Sequence, residues 1–354
     1  MEFTYAKNDQ ETTITYGKTF ASQLRATTVK ATHVFLITNQ RYYDWFADKF
    51  IQFFDEGQEI DWFICKNDAH CNNMNELESL LTFIADFDQQ QDFLFLGIGN
   101  EGVIQLTSFL HSTSVLTSTC WLLPLSVRAL SKSLLGDAEI ELSNHPVLKN
   151  TVLPEQIIYD HTLITDHGDG KLVDFLIFIR CGIVRSHDYL RVLFKNYNDR
   201  SKLNQQSFAA LLNEMIHYYE IDGQKIDQFG TLFEHGFSEA ANGHLLSRNM
   251  KRLLGCLLQL LWAQKISGFS FHYKNFVIWL IHLGFPVDFP EQILTSDYVE
   301  GILTCVDRGE RALLLSEIGN GDQLEKPKAE DLLQTVEQYR RIINEIRGQN
   351  DDNI

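Results

Sequence analysis

The chain has 354 residues, 44% of them hydrophobic and only six of them proline, so it can bury the core of one large or two ordinary domains. Thirty Lys+Arg against 47 Asp+Glu give a formal charge of −17, a field that repels phosphate backbones and anionic lipid headgroups and argues against a nucleic-acid or membrane-surface role. No apolar run approaches the roughly 20 residues that cross a bilayer, and residues 1–10 are polar where a signal peptide needs an apolar stretch, so a cytoplasmic protein is expected.

Over residues 1–160 short β-rich runs alternate with helical patterns. Continuous apolar runs predict strands at 32–38, 60–65, 93–98 and 120–123, the pattern of a parallel sheet covered on both faces. Between them, apolar residues at three- and four-residue intervals predict helices at 40–54 and 73–87, with Met74, Leu77, Leu80, Leu81 and Ile84 on one face of the second. From Lys171 onward strands give way to helices at 172–190, 205–219, 245–265, 273–283, 296–305 and 329–346, with Gly284-Phe-Pro286 and Gly319-Asn-Gly321 as turns between them. The expected fold is an α/β open-sheet, Rossmann-like domain over 1–160 and a mostly α-helical domain over 161–354. A cleft between the halves is the default ligand site.

Several motifs bear on chemistry. The six cysteines, Cys65, Cys71, Cys120, Cys181, Cys256 and Cys305, form no CxxC pair and are expected to be buried, reduced thiols. Gly97-Ile-Gly99-Asn-Glu-Gly102 matches GxGxxG after a predicted strand, a geometry that brings backbone N–H groups to a pyrophosphate. Against it, Glu101 puts a carboxylate where the anion would sit, and no acidic residue follows at the spacing that holds a ribose; stabilising a helix start is the alternative task for Glu101. Asp160, His161, Asp166, His167 and Asp169 form the densest cluster of potential metal ligands, but their spacing fits no zinc pattern and suits a solvated turn. His235 and Glu239 stand at i,i+4 beside Glu234, either a general base oriented by a carboxylate or a surface ion pair.

The order of segments resembles the dehydroquinate synthase family of the glycerol dehydrogenase-like folds over nearly the whole chain. Gly99-Asn-Glu-Gly-Val-Ile-Gln-Leu-Thr-Ser-Phe109 stands where the family has a triple-glycine turn followed by Val-x-Gly-Asp and a helix. Pro124-Leu-Ser-Val-Arg128 and Lys132-Ser-Leu-Leu-Gly-Asp-Ala138 echo Pro-Thr-Thr-Leu-Leu and Asp-Ser-Ser-x-Gly-Gly-Lys. Ile177-Phe-Ile-Arg-Cys-Gly-Ile-Val184 echoes Glu-x-Ile-Lys-x-Gly-Leu-Ile, and the stretch from Gln228 to Ser238 echoes Asn-x-Gly-His-Thr-x-Gly-His-Ala-x-Glu. Gly284-Phe-Pro286 corresponds to a Gly-Leu-Pro near the family's C-terminus.

The resemblance implies an NAD-binding α/β domain and a helical metal-binding domain that together cyclise a seven-carbon keto-sugar acid phosphate. It also implies where this chain departs. The family's glutamate and two histidines that hold the metal fall at Ile177, Thr231 and Ser247, and isoleucine and neutral hydroxyls are poor ligands, so no metal site is expected. The substrate-side aspartate and lysine fall at Lys132 and Ala138, the second lysine becomes Arg180, and only one histidine is retained, as His235. On the cofactor side the acidic residue becomes Asn39, and the Gly-Glu-x-x-Lys motif has no counterpart in 68–73. The equivalent site positions are thus His235, Lys132 and Arg180 for catalysis and Gly97, Gly99 and Gly102 for the cofactor. The expectation is a scaffold that has lost catalysis, with no cofactor, forming a homodimer and binding an unidentified small molecule or protein partner. The alternative is an active cyclase using NAD and zinc, with His235, His244 or the Asp160 to Asp169 cluster supplying ligands; a third is a metal-free enzyme built on Lys132, Arg180 and His235.

Overall fold

The computed structural model describes residues 2–351 except 8, 28, 55, 56, 69, 143, 144 and 164–168, with backbone alone at 169 and 349–351. The chain divides into two compact units, Met1–Asp166 and His167–Ile354.

In the first unit a hairpin of β1 (Glu2–Lys7) and β2 (Gln10–Tyr16) leads through α1 (Phe20–Ala26) into alternating strands and helices. These are β3 (His33–Asn39), α2 (Gln40–Ile51), β4 (Glu59–Cys65), α3 (Met74–Ile84), β5 (Phe93–Gly99), α4 (Glu101–Thr113), β6 (Ser118–Pro124) and α5 (Val127–Leu135). A separate hairpin, β7 (Asp137–Leu142) with β8 (His145–Thr151), precedes β9 (Gln156–Tyr159). The main sheet runs β1-β2-β9-β6-β5-β3-β4 and is parallel beyond its first pair.

Continuous apolar runs form these central strands because successive side chains serve two cores. Val34 and Leu36 of β3 join Leu94 and Leu96 of β5 beneath Phe46 and Phe50 of α2. Phe35, Ile37, Phe93 and Phe95 pack on the other face with Leu77 and Leu80 of α3 and Leu106 and Leu110 of α4. Each such side chain contributes about 1.5–3 kcal/mol when fully buried. The order β4-β3-β5 places β3 and β5 at the topological switch point, where open α/β sheets bind ligands at the carboxyl ends of their strands.

The second unit holds α6 (Asp169–Arg185), α7 (His187–Asn196), α8 (Arg200–Gln205), α9 (Ala209–Gln228), α10 (Thr231–Glu239), α11 (Arg248–Ser267), α12 (Tyr273–Leu283), α13 (Thr295–Asp307) and α14 (Ala329–Asp351). Two expectations need correction. The helix expected over 172–190 is two helices, because the Ser186 hydroxyl accepts from the Tyr189 N–H at 3.2 Å and starts a new one. Strands also do not stop at Lys171: β10 (Ala312–Glu317) and β11 (Asn320–Glu325) pair antiparallel, and Gly319, at φ +92, is the turn of that hairpin rather than a link between helices. Among the described residues no helix is long and apolar enough to cross a membrane.

Candidate functional site

The glycine turn links β5 to α4 as expected, but its glycines make room for protein. A Cβ on Gly97 would lie 2.6 Å from Thr107 Oγ1 and 3.1 Å from Leu122 Cδ2, so this glycine lets α4 lie close on the sheet. A Cβ on Gly99 would lie 3.1 Å from both Asn39 Oδ1 and Val103 Cγ2, and Gly102 is buried in the first turn of α4.

The start of α4 is already served by side chains. Asn100 Oδ1 accepts from the Val103 N–H at 3.2 Å, and its Nδ2 donates to the Asp68 carbonyl at 3.0 Å. Glu101 is buried in the same turn, 8% exposed. At the end of β3, Asn39 Nδ2 donates to the Lys66 carbonyl at 2.7 Å, while Cys71 Sγ lies 3.9 Å from both Asn39 Nδ2 and Asn100 Oδ1. The segment after β4 therefore crosses the switch point, pinned to both strand ends. A pyrophosphate needs bare backbone N–H groups here; these residues offer it a filled cap and a carboxylate, and they do not fit a dinucleotide. The Cys65 thiol is pushed far above its ordinary range, first by its hydrogen bond with Cys71 and then by burial. All six cysteines are free and buried.

Of the other N-terminal candidates, Asp160 has a structural task. Lys132 is half-buried on the last turn of α5. Asp160, 2% exposed, accepts from the Phe20 N–H at 2.7 Å and from the Thr162 N–H and hydroxyl at 2.9 and 2.6 Å, so it caps α1 and a turn. His161 is exposed, Asp166 and His167 lie outside the described residues, and Asp169 opens α6.

In the helical unit the three metal-ligand positions implied by the resemblance hold no ligand set. Ile177 is a core residue of α6, 2% exposed. Thr231, at the start of α10, donates its hydroxyl to the Asp227 carbonyl at 2.9 Å. Ser247 caps α11, accepting from the Met250 N–H at 3.3 Å. Among the described residues no group of three or more His, Cys, Asp or Glu side chains could hold a metal. A divalent ion finds one buried hydrocarbon and two committed hydroxyls, and these residues do not fit it.

Arg180 shares the Asp227 carbonyl with Thr231. Its Nη2 donates to that oxygen, its Nη1 lies 3.8 Å from Asp227 Oδ1, and its Nε, among the described residues, has no partner. The carbonyl belongs to the last turn of α9, where helix oxygens lack intrahelical donors and the dipole favours a cation. At 1% exposure Arg180 joins α6 to α9.

His235 is the histidine that the resemblance matches, and its partner is not the one its spacing suggests. Its Nδ1 lies 2.7 Å from Glu310 Oε2, while Glu239 takes Arg308 at 2.6 and 3.3 Å. Burial pulls the His235 pKa down, but the hydrogen bond and charge of Glu310, with Glu234 adding, hold it above its ordinary value. The ring remains accessible, its side chain 41% exposed, so an oriented, carboxylate-paired imidazole faces solvent. Glu234 is bracketed by Arg252 at 3.5 Å and Arg248 at 3.7 Å. Sequence reasoning missed Asp227, Arg308 and Glu310. Only the adjacency of Asp227 to the Gln228 to Ser238 stretch was there to be noticed.

Comparison with known proteins bears on the fold. No family model matches the chain. A 3-dehydroquinate synthase from Listeria welshimeri is 21% identical over 336 residues, covering 89% of each chain. The structure is similar to that of a 2-deoxy-scyllo-inosose synthase complexed with carbaglucose-6-phosphate, NAD+ and Co2+, with a TM-score of 0.78 and 10% identity over 96% of this chain and 99% of that one. It is also similar to 2-epi-5-epi-valiolone synthase from Streptomyces hygroscopicus subsp. jinggangensis with NAD+ and Zn2+ bound, with a TM-score of 0.77 and 12% identity over 95% and 98%. The chain has the dehydroquinate synthase-like fold, a Rossmann-like α/β unit followed by a mostly helical one.

Proposed function

We propose that this chain keeps the dehydroquinate synthase-like scaffold and has lost its chemistry, acting in the cytoplasm as a homodimeric binding, regulatory or assembly protein. The observation that carries the reading is the occupation of the three metal-ligand places: Ile177 is packed in the core, the Thr231 hydroxyl is spent on Asp227, and Ser247 caps a helix. The cyclisation implied by the resemblance needs a metal to polarise oxygen and NAD to oxidise a hydroxyl. Asn100 and Glu101 at the start of α4, and the burial of Arg180, weigh in the same direction. The acidic surface suits a basic protein partner.

The competing reading is an active NAD- and metal-dependent cyclase of the 3-dehydroquinate synthase type. It draws on the likeness, over nearly the full length, to synthases solved with NAD+ and Co2+ or Zn2+. Metal analysis of the purified protein, with thermal unfolding at increasing NAD, decides between the two. No stoichiometric metal and an unmoved transition are expected. A ligand present at one hundred times its dissociation constant adds about 2.7 kcal/mol of stability, so stoichiometric zinc with an NAD-dependent shift, together with phosphate release from a seven-carbon keto-sugar acid phosphate, overturns the proposal.

A further inference from the structure

A cavity of about 370 Å³ lies in the α/β unit at the amino ends of β3, β5 and β6, the end of the sheet away from the switch point. None of the motifs above anticipates it, and its volume is within the range of small-molecule sites. The cavity lies on the α2 face of the sheet. Ala31, Leu94 and Trp121 line it, 8%, 0% and 5% exposed, and all three belong to the core beneath α2, with Val29 packed against that core. Side chains alternate along a strand, so Asp92 and Thr119, two residues before Leu94 and Trp121, stand on the same face at the mouth. Lys30, between Val29 and Ala31, completes the rim.

Backbone hydrogen bonds hold this mouth in shape. The Asp92 carbonyl accepts from the Thr32 and His33 N–H groups at 3.1 and 3.3 Å, the Thr117 carbonyl accepts from the Phe93 N–H at 2.9 Å, and the Ala31 carbonyl accepts from Gln58 Nε2 at 2.8 Å. The charged side chains are not engaged in the same way. Among the described residues, neither the Lys30 ammonium nor the Asp92 carboxylate has a hydrogen bond or an ion pair, although both residues line one cavity.

A floor of hydrocarbon beneath one uncommitted charge of each sign selects among ligands. A polyol would leave hydroxyls unpartnered against leucine, alanine and indole. A hydrocarbon acid would satisfy Lys30 and set its carboxylate against Asp92, a hydrocarbon amine would do the reverse, and a phosphate dianion would meet the Asp92 carboxylate with twice the charge. A molecule with a carboxylate and an ammonium on one carbon, and an apolar group beside them, satisfies both sides of the rim and the floor together.

We propose that the cavity at the amino ends of β3, β5 and β6 binds an apolar α-amino acid, its side chain against Leu94 and Trp121, its carboxylate toward Lys30 and its ammonium toward Asp92. The proposal goes beyond the reading above and does not depend on it, because the cavity is at the opposite end of the strands from Asn39 and Gly99.

The test is calorimetric titration of the full chain with L-leucine and L-phenylalanine, with N-acetyl-L-phenylalanine, which lacks the ammonium, and with phenethylamine, which lacks the carboxylate. One-to-one binding with a dissociation constant of about 1 mM or tighter is expected for both amino acids. Each analogue is expected to bind about threefold more weakly than phenylalanine, the size of one solvated ion pair. Asp92→Asn is expected to weaken phenylalanine and phenethylamine about threefold and not to weaken N-acetylphenylalanine; Lys30→Gln is expected to weaken phenylalanine and N-acetylphenylalanine about threefold and to spare phenethylamine. Thr119→Trp fills the mouth and is expected to abolish binding of every probe; Ala31→Phe replaces it if that variant does not fold. No saturation below about 10 mM, an analogue bound as tightly as the amino acid, charge variants that do not sort the probes, or binding unchanged by a folded filling variant would each overturn the proposal. Zinc- and NAD-dependent turnover would refute the non-catalytic reading and leave these affinities intact.

Discussion

Replacing Arg180 by methionine, Thr231 by valine, and then both, tests whether these two side chains serve one carbonyl. Arg180→Met keeps much of the side-chain volume. It removes a charge-assisted hydrogen bond to the Asp227 carbonyl, worth about 1.5–3 kcal/mol. It also removes a buried guanidinium whose Nε has no partner among the described residues, a group that costs about 1–3 kcal/mol to bury. The two nearly offset, and the carbonyl keeps the Thr231 hydroxyl at 2.9 Å. Arg180→Met is therefore expected to change stability by no more than about 1 kcal/mol, in line with apolar replacement of buried ions. Thr231→Val alone is expected to cost about 1 kcal/mol, since Arg180 still reaches the oxygen. The double variant strips both donors from a helix-end carbonyl, and the two losses are expected to exceed their sum by about 1 kcal/mol. Urea unfolding followed by tryptophan fluorescence, with circular dichroism to confirm a single transition, measures the cycle. Additivity within about 0.3–0.5 kcal/mol, or a loss above about 3 kcal/mol for Arg180→Met alone, would refute the shared-carbonyl account. Arg180→Ala, which also opens a cavity, is expected to cost about 2–5 kcal/mol by analogy with other large-to-small core changes.

Three further outcomes follow from the same geometry. The His235 pKa is raised in the folded chain, so its pairing with Glu310 stabilises the fold fully below the unfolded histidine value of about 6.5 and is lost as pH rises through the folded value; Glu310→Gln should lower the pKa in an NMR titration and cost more stability at pH 5.5 than at pH 8.5. A Cβ on Gly236 would stand 2.3 Å from Ile302 Cγ1, where α10 crosses α13, so Gly236→Ala should cost about 1–3 kcal/mol in urea, and its cost should fall in an Ile302→Ala background, which removes that carbon. Gly97→Ala should cost a similar amount, about 1–3 kcal/mol, and cost less in a Thr107→Gly background, which removes both Thr107 atoms it would meet; an unchanged cost there would deny that helix packing is what this glycine serves.

The parts of the fold that could be read from sequence were those whose periodicity reflects their surroundings. β3 and β5 are sandwiched between two helical layers, and every residue of each is buried, so their apolar runs are unbroken. α12 runs over the residues expected of it, Tyr273–Leu283, because Gly284 with positive φ ends it where the pattern ends. β1 and β2 escaped notice because their threonines and glutamates make a polar edge hairpin without such a run. β10 carries an apolar Ala-Leu-Leu-Leu, but its partner β11 is Asn-Gly-Asp-Gln-Leu-Glu, and a half-polar hairpin lying among helices gives no period to read. At the positions that the resemblance equates with metal ligands, the sequence already showed Ile177, Thr231 and Ser247. The partner of His235 was not legible: Glu310 is 75 residues away, and pairing at that distance leaves no local pattern. The glycine motif was ambiguous for a related reason. It records that space is needed beside Gly97 and Gly99, and only the neighbours, Thr107 and Asn39, say what fills that space.

The burial of every cysteine supplies a set of internal reporters. Burial pushes the Cys256 thiol up to about 11 and the Cys305 thiol up to about 12, and raises Cys120 and Cys181 as well, so these sulfurs stay protonated at neutral pH and withhold the thiolate that alkylating agents require. Maleimide uptake by the native chain then measures breathing rather than surface chemistry. Modification at Cys65 and Cys71 times the lifting of the segment that crosses the switch point, while modification at Cys181, Cys256 and Cys305 times the parting of the helices, so one reagent and a mass spectrometer give each half of the molecule its own clock.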